Sequence, residues 1–438
     1  MNLGQLKELM RATGVTRVFA KRLSPNDNAK NQVYLGQSFE VLQLLPIGEV
    51  APRPSEKTPI LGASLRLSWL MNDGRHAMAP HSKLILYPQY PEVRLSGFLR
   101  GCDTAPDDLM SRRLTGRILF LGVKGGTDVV AFVAASESAC AREFELTHPD
   151  PEEGVFVELP ISSGASHAGH PARLLAQLRR IHEASWIDSK QLASDGSIRP
   201  CNAPQCGGYT LEAELGVAKN GNAEPDFDGW EVKQHAVSSL DAPPGSKPIT
   251  LLTPEPTGGY YTEHGATAFV RRFGYPDQHG RPGRLNFGGI YRVGTRVLRT
   301  QLELGLRGFD RVSGTMTDAH GAVEIVDPDG TVAASWSFAK LLEHWSRKHA
   351  LAAYVPALRR DDPRRQYRFG RKVRLARHTN GLTLLRAIAS GHVYYDPGIK
   401  LESAAAGDET KRRSQFRIQS KELGRLYSDF ESVDVCAA

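Results

Sequence analysis

The strongest constraint on the fold of this chain is a change of pattern at residues 161–171, a run of small residues. Before that run, short alternating or apolar stretches are separated by Gly, Pro and Asp, which is typical of strands. The clearest of these stretches are residues 84–87, 117–121 and 129–133. A chain of 438 residues is long enough for two cores. We therefore predict a mostly-β domain at residues 1–160, a linker at 161–171 and a second domain at 172–438.

The second part of the chain has a mixed pattern. A helix is predicted where apolar residues recur three and four positions apart, at Leu174, Leu175, Leu178 and Ile181. Further helices are predicted at residues 338–345 and 382–388, and strands at residues 230–233, 249–252 and 323–326. The second domain is therefore expected to be α+β or α/β.

The positive charges of the chain are clustered. The sequence has 55 Lys and Arg against 48 Asp and Glu, a formal net charge of +7. Residues 359–377 hold nine Lys or Arg and two acids, and Lys411, Arg412, Arg413 and Arg417 form a second basic group. Such clusters are typical of proteins that bind a polyanion. Charge alone equally fits a solvated basic face.

The cysteines and the missing motifs narrow the function classes. Five cysteines, at positions 102, 140, 201, 206 and 436, are an odd number, and no secretory signal follows Met1. We expect a reducing cytoplasm. Cys201 and Cys206 have the spacing of a metal knuckle, but no second Cys/His pair follows nearby.

No apolar run has the length of a membrane span, so no membrane partner is expected. No phosphate-cradling loop, Gly-x-Ser-x-Gly or His-Glu-x-x-His is present, which argues against a nucleotide cofactor, a serine hydrolase and a zinc protease.

The chemistry-bearing segment is the acidic and basic pattern of Asp226, Glu231 and Lys233. In a strand, residues two apart share a face, so Glu231 and Lys233 should project together while Val232 enters the buried side. Asp226, in a turn just upstream, can converge on the same point. Two converging carboxylates repel each other unless a divalent cation lies between them, and such oxygen ligands suit Mg²⁺. The alternative is a strand with a charged exposed face.

A short helix is predicted upstream of this pattern, in residues 208–216. Thr210 is expected to cap the helix, so that Glu212 faces the acidic site as a further partner. Glu214 fits an ordinary helix surface equally well.

Several segments of the second domain resemble the MvaI/BcnI restriction endonucleases. The resemblance begins with Gly-Tyr-Thr-Leu-Glu at residues 208–212, Pro-Asp-Phe at 225–227 and Glu-Val-Lys-Gln-His at 231–235. It continues in order through residues 251–253, 272–275, 335–338, 381–391 and 415–418, and covers about residues 170–435. A resemblance of this length is far more specific than a short motif.

This resemblance implies a PD-(D/E)xK nuclease core and a monomer that cuts double-stranded DNA at a short CC-N-GG site. Asp226 and Glu231 would be metal ligands for Mg²⁺, and Lys233 would orient water or stabilise charge. His235 would be a catalytic helper, or else a buried, hydrogen-bonded histidine. The residues that would contact DNA are Arg272, Lys411, Arg412, Arg413 and Arg417.

Arg417 would address the N7 and O6 of guanine through its guanidinium. The neighbouring residues depart from the family pattern. Residues 410–414, Thr-Lys-Arg-Arg-Ser, stand where family members carry histidines, and Asp396-Pro397-Gly398 replaces a stretch that contains a base-reading arginine in some relatives. These departures bear on the target sequence and not on the hydrolytic chemistry.

The first domain resembles the N-terminal effector domain of EcoRII, a DNA-binding pseudobarrel. The matching residues are Lys21, Arg22, Asn26, Asp27, Asn31 and Gln32, and then residues 92–101. The resemblance implies that Glu92 accepts from cytosine N4 and that Arg94 donates to guanine. Lys21, Arg22 and Arg100 would hold phosphates. The alternative is that Glu92 and Arg94 pair with each other on a strand surface.

An effector-like DNA reader joined to a monomeric nuclease predicts an enzyme that binds two copies of its site, one of which stimulates cleavage of the other. The sequence thus predicts a type IIE-like restriction endonuclease, with CCWGG as the favoured site. Two alternatives stay open: a non-catalytic DNA-binding regulator, and a structure-specific repair nuclease on the same core.

Overall fold

The computed structural model describes residues 1–25, 32–36, 41–55, 59–87, 92–148, 155–159, 171–218, 226–241, 243–349, 351–379, 381–404 and 407–437. The chain divides into two compact units, Met1–His167 and Ala168–Ala438. Apart from Pro171, the predicted linker lies outside the described residues.

The described part of the first unit is mostly β. Its helices are α1 (Leu3–Ala12), α2 (Val41–Leu44), α3 (Asp107–Ser111) and α4 (Ala139–Thr147). Its strands are β1 (Val15–Leu23), β2 (Val33–Tyr34), β3 (Ala51–Arg53), β4 (Ile60–Ser64), β5 (Leu67–Leu70), β6 (His76–Ala79), β7 (Lys83–Tyr87), β8 (Glu92–Ser96), β9 (Arg117–Lys124), β10 (Asp128–Ala134) and β11 (Val157–Leu159).

These strands form a six-stranded sheet in the order β11-β1-β9-β10-β5-β6 and a five-stranded sheet in the order β2-β8-β7-β4-β3. Helices α1 and α4 cover the first sheet, and Leu6, Phe120 and Phe144 lie in the shared core. Asn2 caps α1 in a capping box with Gln5, which satisfies amide groups that the first helical turn leaves free.

The five-stranded sheet has one apolar and one polar face. Leu84, Leu86, Val93 and Leu95 alternate into the core at less than 1% exposure. The residues between them point the other way, because successive side chains of a strand alternate between faces. The register pairs Ser96 with Lys83, Arg94 with Ile85 and Glu92 with Tyr87, so these residues share the polar face.

The second unit is mixed. Its helices are α5 (Pro171–Glu183), α6 (Cys206–Glu214), α7 (Tyr260–Phe273), α8 (Phe338–His349) and α9 (Gly381–Ala389), with a 3₁₀ helix at Ser420–Leu426. Its strands are β12 (Trp186–Asp188), β13 (Lys190–Leu192), β14 (Ile198–Pro200), β15 (Glu231–Ala236), β16 (Pro248–Leu252), β17 (Tyr275–Pro276), β18 (Arg284–Gly288), β19 (Arg296–Val297), β20 (Leu302–Arg307), β21 (Phe309–Asp310), β22 (Thr315–Met316), β23 (Ala322–Val326), β24 (Val332–Ser337), β25 (Leu351–Arg360), β26 (Gln366–Phe369), β27 (Lys372–Arg377), β28 (Val393–Tyr395), β29 (Gly398–Ala404), β30 (Gly407–Lys411), β31 (Phe416–Gln419) and β32 (Asp429–Asp434).

The sheet that positions the site runs β12-β26-β25-β27-β32, and β15 pairs in parallel with β25. One face packs on α5, with Leu174, Leu178 and Ile181 against Val232 and Val355. The opposite face carries Lys233, Tyr354 and Arg374 in one row, since Lys233 pairs with Tyr354 and Tyr354 with Arg374.

Smaller sheets complete the unit. They have the orders β16-β31-β28, β17-β18-β29-β30, β19-β20-β23-β24, β13-β14 and β21-β22. The helices and strands predicted in the second part are confirmed: α8 and α9 extend the predicted spans, β16 and β23 contain the predicted strands, and β15 begins at Glu231, one residue after the predicted start. The high strand content agrees with the mostly-β prediction for the first domain.

Two cysteines are joined at the start of α6. Cys201 and Cys206 form a disulfide whose Cα atoms are 5.7 Å apart, and Cys206 is the first residue of α6. With their sulfurs joined, these cysteines do not form the metal knuckle that their spacing suggests. Within the part of the chain that the structure describes, no helix has the length and apolarity needed to cross a membrane.

Candidate active site

A tight turn places Asp226 beside the start of β15. Phe227 and Trp230 exchange backbone hydrogen bonds of 3.0 and 2.7 Å around Asp228 and Gly229. Both central residues have positive φ, 46° and 85°, as a type I′ turn requires and as Asp-Gly favours. The chain thus reverses within two residues, and the Asp226 Oδ2 accepts a 2.9 Å hydrogen bond from the Val232 amide.

Glu231 and Lys233 lie on the same face of β15. Lys233 Nζ donates to Glu231 Oε1 at 2.8 Å, while Val232 packs into the core between α5 and the sheet. The side chain of Glu231 is 5% exposed and that of Lys233 is 17% exposed. Burial acts to lower the pKa of Lys233, but the adjacent Glu231 outweighs it and the net shift is upward. Lys233 is therefore held as a cation.

Glu212 approaches the same cluster from α6. Burial, together with the charges of Asp226 and Glu231, raises the pKa of Glu212 to about 7. Burial likewise raises the pKa of Asp226 to about 6, with Glu231 adding to the effect. Three acids close enough to repel one another therefore share this site.

The prediction that Thr210 caps this helix is wrong. Helix α6 begins at Cys206, and Thr210 lies in its interior, where its hydroxyl donates to the Cys206 carbonyl at 2.7 Å. The same hydroxyl oxygen accepts from the Lys190 amide at 3.1 Å, which ties α6 to β13. Glu214 pairs with Lys190 at 2.5 Å and not with the acidic cluster.

Sequence reasoning missed a second lysine at the site. Lys348 Nζ lies 4.0 Å from Glu231 Oε1, and its side chain is 23% exposed. Its charge also acts on Asp226 and Glu212, lowering the pKa of each. Lys348 follows Glu231 by more than a hundred residues and has no local motif around it, so the sequence carries no signal that could have assigned it.

Buried hydrogen bonds fix the end of α8 from which Lys348 projects. His349 is fully buried, and its Nε2 donates to the Leu251 carbonyl at 3.2 Å. A carbonyl only accepts, so the proton lies on Nε2 and Nδ1 accepts from the Tyr427 hydroxyl at 3.0 Å. The Tyr354 hydroxyl lies 2.7 Å from that of Tyr427 and completes the chain.

The cluster fits a divalent metal ion. The Glu231 Oε2 is buried and has no hydrogen-bond partner in the described ranges, so it is an orphaned acceptor beside a second carboxylate. Among the described residues, no three His, Cys, Asp or Glu side chains are close enough together to hold an ion. Mg²⁺ is commonly bound through one or two carboxylates and keeps several waters, which matches Asp226 and Glu231 as a pair.

His235 points toward Arg374. It lies on the same face of β15 as Lys233, is 8% exposed, and accepts from Arg374 Nη2 at 3.1 Å. Burial, together with the charge of Arg374, lowers the pKa of His235 to about 3. The histidine is therefore neutral, and the structure brings it to Arg374 and not to the acids.

The DNA-contact residues predicted in the second unit do not form one cluster with the acids. Arg417 pairs with Asp396 at 2.6 Å, so the arginine that matches the family contacts a segment that departs from the family pattern. Arg272 lies over the ring of Tyr260 at 4.7 Å and 3.8 Å from Asp327. Lys411, Arg412 and Arg413 lie near Glu409, Glu255 and Gly398, respectively.

In the first unit, Glu92 and Arg94 pair on β8 at 2.8 Å, and Arg94 also donates to Gln32 at 3.2 Å. Arg22 binds both oxygens of Glu145 on α4. Lys21 is 8% exposed, and burial lowers its pKa to about 8.

Arg100 is exposed and lines an open cleft of about 720 Å³ together with Arg53, His81 and Lys83, residues that the sequence reasoning missed. Asn26, Asp27 and Asn31 lie outside the described residues, as does Pro225 of the acidic motif.

The mixed sheet and the turn before it bring two carboxylates and a lysine together. This site and the family match of the sequence assign the chain to the restriction endonucleases, which are DNA hydrolases. The particular family is the MvaI/BcnI restriction endonuclease family, which matches residues 175–427, more than half of the chain. This chain is a member of that family.

The chain is also similar to solved structures of the restriction endonuclease MvaI. A structure described as the restriction endonuclease MvaI–cognate DNA substrate complex is 18% identical, covers 60% of this chain and 98% of its own, and has a TM-score of 0.46. The restriction endonuclease MvaI in the absence of DNA is 16% identical, covers 62% and 100%, and has a TM-score of 0.34. No curated protein matches the chain.

Proposed function

We propose that this protein is a type II restriction endonuclease that hydrolyses double-stranded DNA at a CC-N-GG site, with CCWGG favoured. The observation that carries the proposal is the 2.8 Å contact of Lys233 with a buried Glu231, in a chain of this family. No described residue donates a hydrogen bond to the second oxygen of Glu231. A buried acid held in this way is poised to bind a cation. A strand with an ordinary charged face would leave both side chains in water.

Asp226 and Glu231 would hold the metal ion, and Mg²⁺ suits their hard oxygen ligands. When bound, such an ion neutralises charge that develops on a scissile phosphate and lowers the pKa of a bound water. Lys233, fixed by Glu231, is placed to orient the attacking water or to stabilise the same charge. Glu212, with its pKa raised to about 7, holds or releases a proton near neutral pH.

The first unit is proposed to be a second DNA-binding module that resembles the EcoRII effector domain. Its support is the polar face of the five-stranded sheet, where Glu92 and Arg94 lie in register with Tyr87 and Ile85. Both side chains are partly exposed, at 23% and 29%. They are therefore accessible to base edges, provided that the ion pair between them exchanges for contacts with DNA. We further propose that the enzyme acts as a monomer on two copies of its site.

The function is tested by incubating the purified full-length protein with Mg²⁺ and plasmid DNA that carries CC-N-GG sites. We expect cleavage at those sites by the wild type, and unchanged DNA binding without cleavage by Asp226→Ala. Sequencing of the cleaved ends gives the site and the cut position. Binding without cleavage by the wild type would establish a regulator instead, and cleavage without sequence preference would establish a repair nuclease.

A further inference from the structure

A second cavity lies beyond the end of β15. This open pocket of about 500 Å³ is lined by His235, Arg374 and Ser420, with Lys247, Lys372 and Asp241 among the other lining residues. Lys247, Lys372 and Asp241 are exposed, whereas His235, Arg374 and Ser420 are more than nine-tenths buried. The pocket is thus open at its rim and polar at its floor.

Arg374 is a buried cation with neutral partners. Its Nη1 donates to the Ser420 carbonyl at 2.8 Å, and its Nη2 donates to the Ser420 hydroxyl at 2.9 Å and to His235 Nε2 at 3.1 Å. Within the described part of the chain, no carboxylate lies within ion-pair distance of Arg374, whereas Arg377 on the same strand pairs with two acids. A buried guanidinium is expected to have an anionic partner, because the loss of hydration is otherwise uncompensated.

The hydrogen bond between Arg374 and His235 determines which ring nitrogen of His235 carries the proton. A guanidinium has donors only, so the Nε2 of His235 is the acceptor and the ring proton lies on Nδ1. The Nδ1 of His235 is buried and has no hydrogen-bond partner among the residues that the structure describes. His235 lines the pocket, and its buried N–H group requires an acceptor. A cation or a second donor could not satisfy it.

The charges around the opening also favour an anionic ligand that accepts hydrogen bonds. Three cationic side chains, Lys247, Lys372 and Arg374, line the pocket against one carboxylate, Asp241. Phosphate is an anion that guanidinium and ammonium groups both bind well, and it accepts several hydrogen bonds at once.

We propose that this pocket binds a phosphate group, with Arg374 and the Nδ1–H of His235 at its floor and Lys372 and Lys247 at its rim. The phosphate has two possible sources, a backbone phosphate of bound DNA and a free phosphate compound. His235 follows Lys233 by two strand residues, roughly 6.6 Å along the strand, so a DNA strand at the acidic site passes close to the pocket. The proposal goes beyond the nuclease function, and phosphate binding is measurable without metal or cleavage.

The first experiment titrates inorganic phosphate into the full-length protein by isothermal calorimetry, without metal or DNA. We expect saturable binding by the wild type and at least a threefold weaker affinity for Lys372→Ala. Lys340→Ala is the matched control, since Lys340 is exposed on α8, pairs with Glu343 and does not line the pocket. Arg374→Gln should abolish binding. Because Arg374 is buried, the fold of the Arg374→Gln variant is checked by circular dichroism. If this variant is unfolded, the result for the exposed Lys372→Ala variant decides the outcome.

The second experiment measures binding of an uncleaved duplex against salt concentration for the same variants. A backbone source predicts that Lys372→Ala reduces the slope of log K against log salt by about one, and that Lys340→Ala does not. A free phosphate compound predicts weaker phosphate binding by Lys372→Ala with an unchanged slope. If neither phosphate affinity nor the salt slope responds to Lys372→Ala, the pocket is not a phosphate site.

Discussion

At the scale of single residues, two lysines from distant segments surround one buried glutamate. Lys233 lies 2.8 Å from Glu231 Oε1 and Lys348 lies 4.0 Å from the same atom. The first contact follows from strand alternation, whereas the second depends on the placement of α8. The longer distance leaves Lys348 freer to exchange its partner, so the two lysines are expected to contribute differently to catalysis.

Replacing Lys348 by Met should lower the rate of DNA cleavage by about 100-fold, the usual effect of removing one group that stabilises charge in the transition state. Binding of the uncleaved duplex should change far less. The measurement is single-turnover cleavage at saturating Mg²⁺, with Lys340→Met as a control on the same helix. A Lys348→Met enzyme with the wild-type rate would exclude this lysine from the reaction.

Metal binding should depend on pH through Glu212 and Asp226. Their pKa values are raised to about 7 and about 6 without metal, so both acids take up protons as the pH falls through this range. Protons compete with the ion for carboxylates, and the affinity for Mg²⁺ should therefore fall between about pH 8 and pH 6. Calorimetric titration of Mg²⁺ at several pH values measures this effect.

Glu212→Gln should remove the part of this dependence near pH 7. Glu214→Gln should leave it unchanged, because Glu214 faces Lys190. An Mg²⁺ affinity that is constant over the whole range would contradict a metal site at Asp226 and Glu231 with Glu212 beside it.

At the scale of elements, helix α8 links the acidic site to the rest of the second unit. Its buried residues anchor it to several segments: Trp345 donates to Thr379 at 3.0 Å, and His349 contacts Leu251 and Tyr427. Helix α9 packs on it closely, because Gly381 has no side chain to hold the helices apart. A Cβ at position 381 would lie 1.9 Å from Leu342 Cδ2.

Gly381→Ala should therefore destabilise the protein by about 1–3 kcal/mol, the usual cost of overpacking a core. Gly305→Ala is the matched control, since a Cβ there would meet nothing within 4 Å. Thermal unfolding followed by circular dichroism measures both variants, and each kcal/mol corresponds to a Tm shift of about 2–4 °C. Equal melting temperatures for the two variants would show that the α8–α9 contact adapts to the added methyl group.

At the scale of the whole molecule, the chain combines two compact units with different chemistry. The second carries the acidic cluster and the family match at residues 175–427. The first carries the polar face of the five-stranded sheet, on which Arg94 contacts Glu92, Gln32 and the ring of Tyr87. A DNA-reading role for that face gives the molecule two places to bind its site.

Plasmids with two CC-N-GG sites should then be cut faster than plasmids with one. Arg94→Ala should reduce the rate on two-site plasmids to the one-site rate, because base contacts in the first unit are lost. Arg66→Ala provides the control, since the side chain of Arg66 is 70% exposed and forms a surface ion pair with Asp128. The rates are compared by plasmid cleavage at equal site concentration, and equal wild-type rates on both plasmids would remove the two-site proposal.

Features that depend on neighbouring residues could be predicted from the sequence alone. The alternation of Glu231, Val232 and Lys233 determined which side chains share a face, and the spacing of Leu174, Leu178 and Ile181 determined the buried face of α5. The type of most long elements followed from the same periodicities. The local pattern gave a wrong prediction at Thr210, which was expected to cap helix α6. Thr210 instead lies inside that helix and accepts a hydrogen bond from Lys190 of β13.

Only the tertiary structure decided which distant residues meet. It brought Lys348 to Glu231, Arg374 to His235, Asp396 to Arg417 and Glu145 to Arg22. Each pair is separated by many residues, and its geometry is set by sheet register and helix packing. The physical reason is range: alternation and helical periodicity act over a few residues, whereas burial and charge pairing depend on everything that the folded chain places nearby.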